Sequence, residues 1–375
     1  MIKLFFALLL FLTSLLVVFP APNSFLWKVS VGLTNFAYVP MLLALALLYI
    51  GIKSSKFDIL ISLISIIAFI IFSLPIIEAF KKKNNLAKIE KIFPVKNESA
   101  LPPVFSFLKM FGNNKKVEFK SIIYKNIDTK NLTLDFYSTI NNKSFPLVIV
   151  IHGGSWQSGD NKQLPELNSY LAAKGYNVAA INYRLAPAYK APAPVLDTED
   201  AIQFLISHAA EYNIDTNNII LLGRSAGAQV ALCAAYNLHM PNIKGVVSYY
   251  GPADMVWAGQ LPANAGVLDN NGIYNNYLGG LYKDVPEKFK EVSAVQQADS
   301  LSPPTLMIHG KIDPLVFHIH PEHLQKRLNE LKVPNYYLEF NYATHGCDYS
   351  IKSPAGQVGT YAILRFLQSV IEKGK

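Results

Sequence analysis

The chain has 375 residues, enough for one large domain plus an accessory region. Hydrophobic residues reach 51% while charged residues stop at 16%, well below the roughly 25% of an average soluble protein, and the mean hydropathy is +0.22. Part of the chain is therefore read as membrane-embedded, and the net charge of +8 is assigned to lysines beside apolar segments rather than to a nucleic-acid partner, since no arginine-rich run accompanies it.

The apolar excess sits in the first eighty residues. Residues 2–20 are apolar apart from Lys3, Thr13 and Ser14. A secretory signal competes for this segment, but the run is long for one and Pro20 and Pro22 crowd the cleavage point, so an uncleaved membrane helix is expected. A second run extends from Asn35 to Ile52, and a third, Ile59 to Phe80, carries no charge before Glu78. Its length suits the roughly 30 Å hydrocarbon core of a bilayer. The expectation is about three transmembrane helices over 1–80, a multi-pass integral membrane protein. Lys81, Lys82, Lys83, Lys88 and Lys91 follow the third run, against Lys3, Lys53 and Lys56 on the other side. That bias points the C-terminal region into the cytoplasm. Residues 81–116 form a polar, proline-containing connector in which the apolar patch Phe105–Phe111 is expected to pack on the C-terminal domain.

From residue 117 the pattern becomes that of strands and helices. Segments 117–124 and 132–138 alternate apolar and polar residues, as an antiparallel pair would. The run Phe145-Pro-Leu-Val-Ile-Val-Ile151 is apolar throughout, as in a strand buried on both faces. Helix 164–174, strand 177–182, helix 195–208, a strand from Ile219, the helix after Ala226 and strand 243–249 come next. After an irregular insertion at 251–286 come helix 286–292, strand 305–308, helix 321–331, strand 336–340 and a last helix over 359–372. This alternation predicts an α/β domain over 117–375 built on a mostly parallel, doubly wound sheet, with its site beyond the carboxyl ends of the strands.

The motifs fall at those ends. Gly223-Arg-Ser-Ala-Gly227 joins strand to helix in the G-x-S-x-G pattern, whose glycines permit a turn tight enough to present Ser225 Oγ beside a helix N-terminus. His152-Gly-Gly-Ser-Trp156 follows the 145–151 strand, and Gly153, Gly154 and Ala226 are the expected N–H donors of an oxyanion hole. Asp313 lies just past the 305–308 strand and can orient a histidine. His345 lies in the loop before the last helix and completes the chain order Ser, Asp, His; it is the expected general base. Four more histidines stand near Asp313, and a metal reading of His318, His320 and His323 is set aside for want of supporting carboxylates. Cys233 and Cys347 offer neither metal-ligand spacing nor a disulfide framework. No cofactor is expected, and the oligomeric state is left open. Trp156 and Trp257 are candidate walls of a substrate pocket.

Taken with Asn182-Tyr-Arg-Leu-Ala-Pro187 and His309-Gly-Lys-Ile-Asp313-Pro-Leu-Val316, these motifs make the chain from about residue 117 resemble an α/β-hydrolase. Within that fold it is similar to carboxylesterases of the hormone-sensitive-lipase and feruloyl-esterase-like groups. The resemblance implies a Ser225–His345–Asp313 triad that hydrolyses small carboxylic esters. Ala228 and Gln229 depart from residues frequent in those groups, which bears on substrate shape. The His-Gly-Gly-x-Trp form also resembles arylformamidases, so an amide hydrolase, formamidase- or peptidase-like, on the same triad is the alternative. A non-catalytic ligand-binding protein is disfavoured because all three triad residues are present.

Overall fold

In the computed structural model the described residues are 2–51, 56–84, 86–98, 101–112, 116–127, 131–139, 144–262 and 266–372. Eight strands form one sheet: β1 (Phe119–Lys125), β2 (Leu132–Tyr137), β3 (Phe145–Ile151), β4 (Asn177–Ile181), β5 (Ile214–Arg224), β6 (Ile243–Tyr249), β7 (Thr305–Gly310) and β8 (Asn335–Phe340). Their order is β1-β2-β4-β3-β5-β6-β7-β8. β1 and β2 pair antiparallel, as their alternation predicts, and β2 pairs antiparallel with β4. Every pairing from β4 to β8 is parallel. The central strands β3, β5 and β6 are apolar on both faces because helices cover both faces. This is the α/β-hydrolase architecture expected from the sequence.

Between strands run α6 (Pro165–Ala173), α7 (Ala193–Ser207), α8 (Ala209–Tyr212) and α9 (Ala226–Asn237). The insertion expected to be irregular contains two short helices, α10 (Met255–Gly259) and α11 (Asn270–Leu278). Both start at an aspartate that caps the first turn, Asp254 through the Trp257 N–H and Asp269 through the Gly272 N–H. Then come α12 (Pro286–Glu291), α13 (Ala294–Gln297), α14 (Ile319–Glu330) and α15 (Pro354–Glu372).

The N-terminal region differs from the three spans expected. It holds α1 (Ile2–Ser14), α2 (Ser24–Asn35), α3 (Tyr38–Gly51), α4 (Lys56–Asn84) and α5 (Ala87–Ile92). Among the described residues only one helix, Asp58–Lys83 within α4, is both long and apolar enough to cross a membrane. The first run, Ile2–Val17, is shorter, at about 1.5 Å per residue too short for a 30 Å core. The second run breaks where α2 meets α3, a bend of 82°, so the pair makes at most one broken span. Lys53, one of the flanking lysines, lies outside the described residues. The helices also pack against the α/β domain, α4 on α15 and α2 on the loop after β8. In the connector, Phe105 and Met110 are buried as expected, Phe105 edge-on to Phe80, while Leu108 and Phe111 stay exposed.

Candidate active site

β5 ends at Arg224 and α9 begins at Ala226, leaving Ser225 alone at the turn with φ 53° and ψ −123°. A non-glycine residue there is strained, and the surrounding contacts hold it. A Cβ on Gly223 would lie 2.2 Å from the Gly227 carbonyl oxygen, and one on Gly227 would lie 2.3 Å from the Ile151 and His152 carbonyl oxygens. Both glycines are therefore demanded by close approach of β3, β5 and α9. The Ser225 N–H donates to the Tyr249 carbonyl (2.9 Å), anchoring the turn to β6. Its Oγ stands at the N-terminus of α9, where Ala226 N–H is among the groups the helix leaves without an intrahelical acceptor.

His345 reaches that hydroxyl from the loop after β8. Its Nε2 is 2.9 Å from Ser225 Oγ, and its Nδ1 is 2.7 Å from Asp313 Oδ2. A carboxylate only accepts, so Nδ1 carries the proton and Nε2 is free to accept from the serine. Asp313 follows β7, and its Oδ1 accepts from the Leu315 and Val316 N–H groups at 2.9 and 3.0 Å. His309 Nε2 lies 3.2 Å from Asp313 Oδ2 while donating to the Val316 carbonyl. Burial alone would push Asp313 up; the neighbouring His345 and His309 outweigh it and hold the carboxyl below the usual range. The Tyr250 ring sits 4.4 Å from the His345 ring. The structure thus brings together the three residues named from the sequence, in a geometry able to move a proton from hydroxyl to imidazole and to stabilise the imidazolium.

The glycine turn after β3 lies against Ser225: a Cβ on Gly153 would be 3.1 Å from Ser225 Cβ. The Gly153 N–H, expected to face a substrate oxygen, instead donates to Gln163 Oε1 at 2.8 Å. Gly154 has φ 122°, and Ala226 directly follows Ser225 as the first residue of α9. The Asn182-Tyr-Arg motif supports this turn from below. The Tyr183 hydroxyl donates to the His152 carbonyl, the two rings stack at 4.3 Å, and Arg184 is held by Asp197. His152 is buried, which pushes its pKa down to about 4, and its Nδ1–H donates to the Gly153 carbonyl.

Trp156, a candidate pocket wall in the sequence, is placed in the core beside the glycine turn. It is buried, stacked on Tyr277 at 4.3 Å, and its N–H donates to Gln229 Oε1 (2.8 Å). Gln229 also accepts from the Tyr277 hydroxyl and donates to the Val292 carbonyl, so this one amide ties α9 to the glycine turn and the insertion. A lone glutamine carries no signal of that in sequence. Trp257 is half-buried, edge-on to His320 and His323. The three histidines weighed as metal ligands do not converge, since His320 and His323 both hold Asp254, but His318 does have the carboxylates the sequence did not show: its ligand atom and those of Glu322 and Glu339 lie within 4.8 Å of one another. Cys233 and Cys347 are buried free thiols.

Arg224, inside the serine motif, is only 1% exposed and pairs through Nε with Asp348 Oδ2 at 2.6 Å. The Tyr250 hydroxyl donates to the other Asp348 oxygen at 2.5 Å. Among the described residues the two terminal nitrogens of Arg224 have no hydrogen-bond partner.

The BD-FAE family model matches residues 134–328. Esterase LipC of Mycobacterium tuberculosis is 27% identical over 284 residues, which is 72% of this chain and 68% of that protein. The isoprenylcysteine alpha-carbonyl methylesterase ICME of Arabidopsis thaliana is 29% identical over 215 residues, 52% of this chain and 48% of the relative. The match thus spans about two thirds of the first and half of the second. Among solved structures, one in a study of two fungal esterases from Rhizomucor miehei superposes with a TM-score of 0.60 at 20% identity, covering 72% of this chain and 88% of that one. A truncated carbohydrate esterase from gut microbiota superposes with 0.56 at 18%, covering 70% and 99%. At these identities the superpositions speak to the fold.

Proposed function

Because the chain belongs to the BD-FAE family and is a carboxylic ester hydrolase of the α/β-hydrolase fold, we propose that it cleaves a small carboxylic ester through Ser225, His345 and Asp313. The observation that carries this reading is the unbroken hydrogen-bonded line from Ser225 Oγ through His345 to Asp313, at 2.9 and 2.7 Å. His345 Nε2 takes the hydroxyl proton as Ser225 Oγ attacks the carbonyl carbon, and Asp313 stabilises the imidazolium. The tetrahedral oxyanion is held by the N–H groups of Gly154 and Ala226, and by Gly153 once Gln163 releases it. His345 then protonates the departing alcohol, leaving an acyl-Ser225. Water, deprotonated by the same imidazole, attacks the acyl carbon and frees the acid. With a short p-nitrophenyl ester, Ser225→Ala abolishes turnover while thermal melting stays that of the parent. Retained turnover would remove Ser225 from its place.

We assign α4 to the bilayer as an anchor. Its Ile59, Leu63, Ile67 and Ile70 are exposed apolar side chains among the described residues, and Lys81, Lys82 and Lys83 at its end favour a cytoplasmic catalytic domain.

A further inference from the structure

The loop 341–350, which carries His345, is held from outside the α/β domain. Glu78 of α4 is 6% exposed, and its carboxylate accepts from two consecutive backbone N–H groups, Asn341 at 2.8 Å and Tyr342 at 3.2 Å, as well as from the Asn341 side chain at 2.9 Å. One face of α2 continues the contact. Trp27, Val31 and Asn35 follow one another at four-residue spacing and so share a stripe. The Trp27 Nε1–H donates to the carbonyl of His345 itself at 3.1 Å, and its ring lies edge-on, 6.1 Å from the imidazole. Val31 lies against Gly346, which has φ 86°. Asn35 donates to the Gly346 carbonyl and accepts from the Ser350 N–H. The other end of α2 is tied to the insertion, through the Ser24 N–H and the Gly266 carbonyl at 3.2 Å.

We propose that α2 and α4 form a clamp that positions the general base: Glu78, Trp27 and Asn35 fix the path of the loop after β8 so that His345 meets Ser225 and Asp313 together. The inference rests on His345 being the base. Within the α/β domain the loop is held at Asp348, by Arg224 and Tyr250, and at the Ala343 carbonyl, by the Ile312 N–H; α2 and α4 add tethers at 341–342 and at 345–346, next to the base itself, where a displacement of about 1 Å at a catalytic group can cost on the order of 10²-fold in rate. The clamp acts on the backbone at both sides of His345, at 341–342 and at 345–350, leaving the imidazole itself free for proton transfer. The helix assigned to the bilayer is thereby also a part of the catalytic scaffold.

The test uses the full chain in detergent micelles, with turnover normalised to folded protein by circular dichroism. Trp27→Phe keeps the ring and loses the N–H; Glu78→Ala loses all three acceptor contacts; Glu78→Gln keeps an acceptor. Expected for Glu78→Ala is a kcat reduced by ~10-fold or more, with KM within about 2-fold. Glu78→Gln should recover most of the rate, and Trp27→Phe should lower kcat with KM unchanged. Parent kcat in Trp27→Phe and Glu78→Ala, even with a lower melting temperature, would overturn the clamp and leave these contacts merely structural. Should Glu78→Ala fail to fold, Trp27→Phe decides: parent kcat in that variant overturns it. Ser225→Ala and His345→Ala run alongside. Turnover surviving in either would strike the triad reading instead, a result separable from the behaviour of the clamp variants.

Discussion

At the scale of single residues the site depends on how few atoms can move. Gly227 has no room for a side chain, since its Cβ would stand 2.3 Å from two carbonyl oxygens of the β3 end. Gly227→Ala is therefore expected to lose turnover and to melt well below the parent; full activity would mean that the elbow is looser than its contacts indicate. Asp313→Asn keeps the size of the side chain but lets an amide meet the His345 Nδ1–H, which favours the wrong tautomer. A loss of about 10⁴ in kcat with little change in KM is expected, measured on the same ester. Asp348→Ala tests a different feature. It strips the charge partner from Arg224, which is 1% exposed, and leaving a buried cation uncompensated costs about 3–5 kcal/mol. Chemical denaturation should report that loss. The serine motif and the Asp and His loops are legible in the sequence because each is a short local pattern at a strand end. Arg224–Asp348 and Trp156–Gln229 are not, because the partners are 124 and 73 residues apart. For the same reason a tryptophan beside a glycine turn suggests a pocket wall and lies instead in the core.

At the scale of elements the α/β domain follows its hydropathy closely. Strands buried on both faces read as unbroken apolar runs, the alternating segments pair as β1 and β2 although β2 is buried along nearly its whole length, and helix starts move by a few residues, as from 195 to Ala193. The N-terminal helices are less legible, since a window of hydropathy records how apolar a segment is and not which protein surface one of its faces covers. Trp27 and Asn35 reach the loop after β8 across more than 300 residues, a contact no local pattern announces. α14 carries a further consequence. His320 there is buried, which pushes its pKa down to about 3, and burial likewise takes His152 beside β3 down to about 4, against 6.5 for a free imidazole. The unfolded chain thus binds protons that the fold refuses. The stability these two groups contribute is complete above about pH 6.5 and declines as pH falls toward 4 and then 3, at up to ~1.4 kcal/mol per pH unit for each. Melting temperature should drop across that window, and His320→Gln should flatten the drop. Parallel curves for variant and parent would deny His320 its share.

At the scale of the whole molecule we place one hydrolase site on an α/β sheet whose base loop is braced by helices of the N-terminal region. The anchor is tested by fractionation: the full chain should stay with membranes after a carbonate wash at high pH and enter solution in detergent, and release by carbonate would remove α4 from the bilayer. The active chemistry is tested more directly by covalent capture. The full chain treated with a fluorophosphonate should take up one phosphonyl group, found by peptide mass spectrometry on Ser225. Labelling should vanish in Ser225→Ala and slow by orders of magnitude in His345→Ala. An adduct on another residue, or undiminished labelling of the His345→Ala chain, would contradict the account.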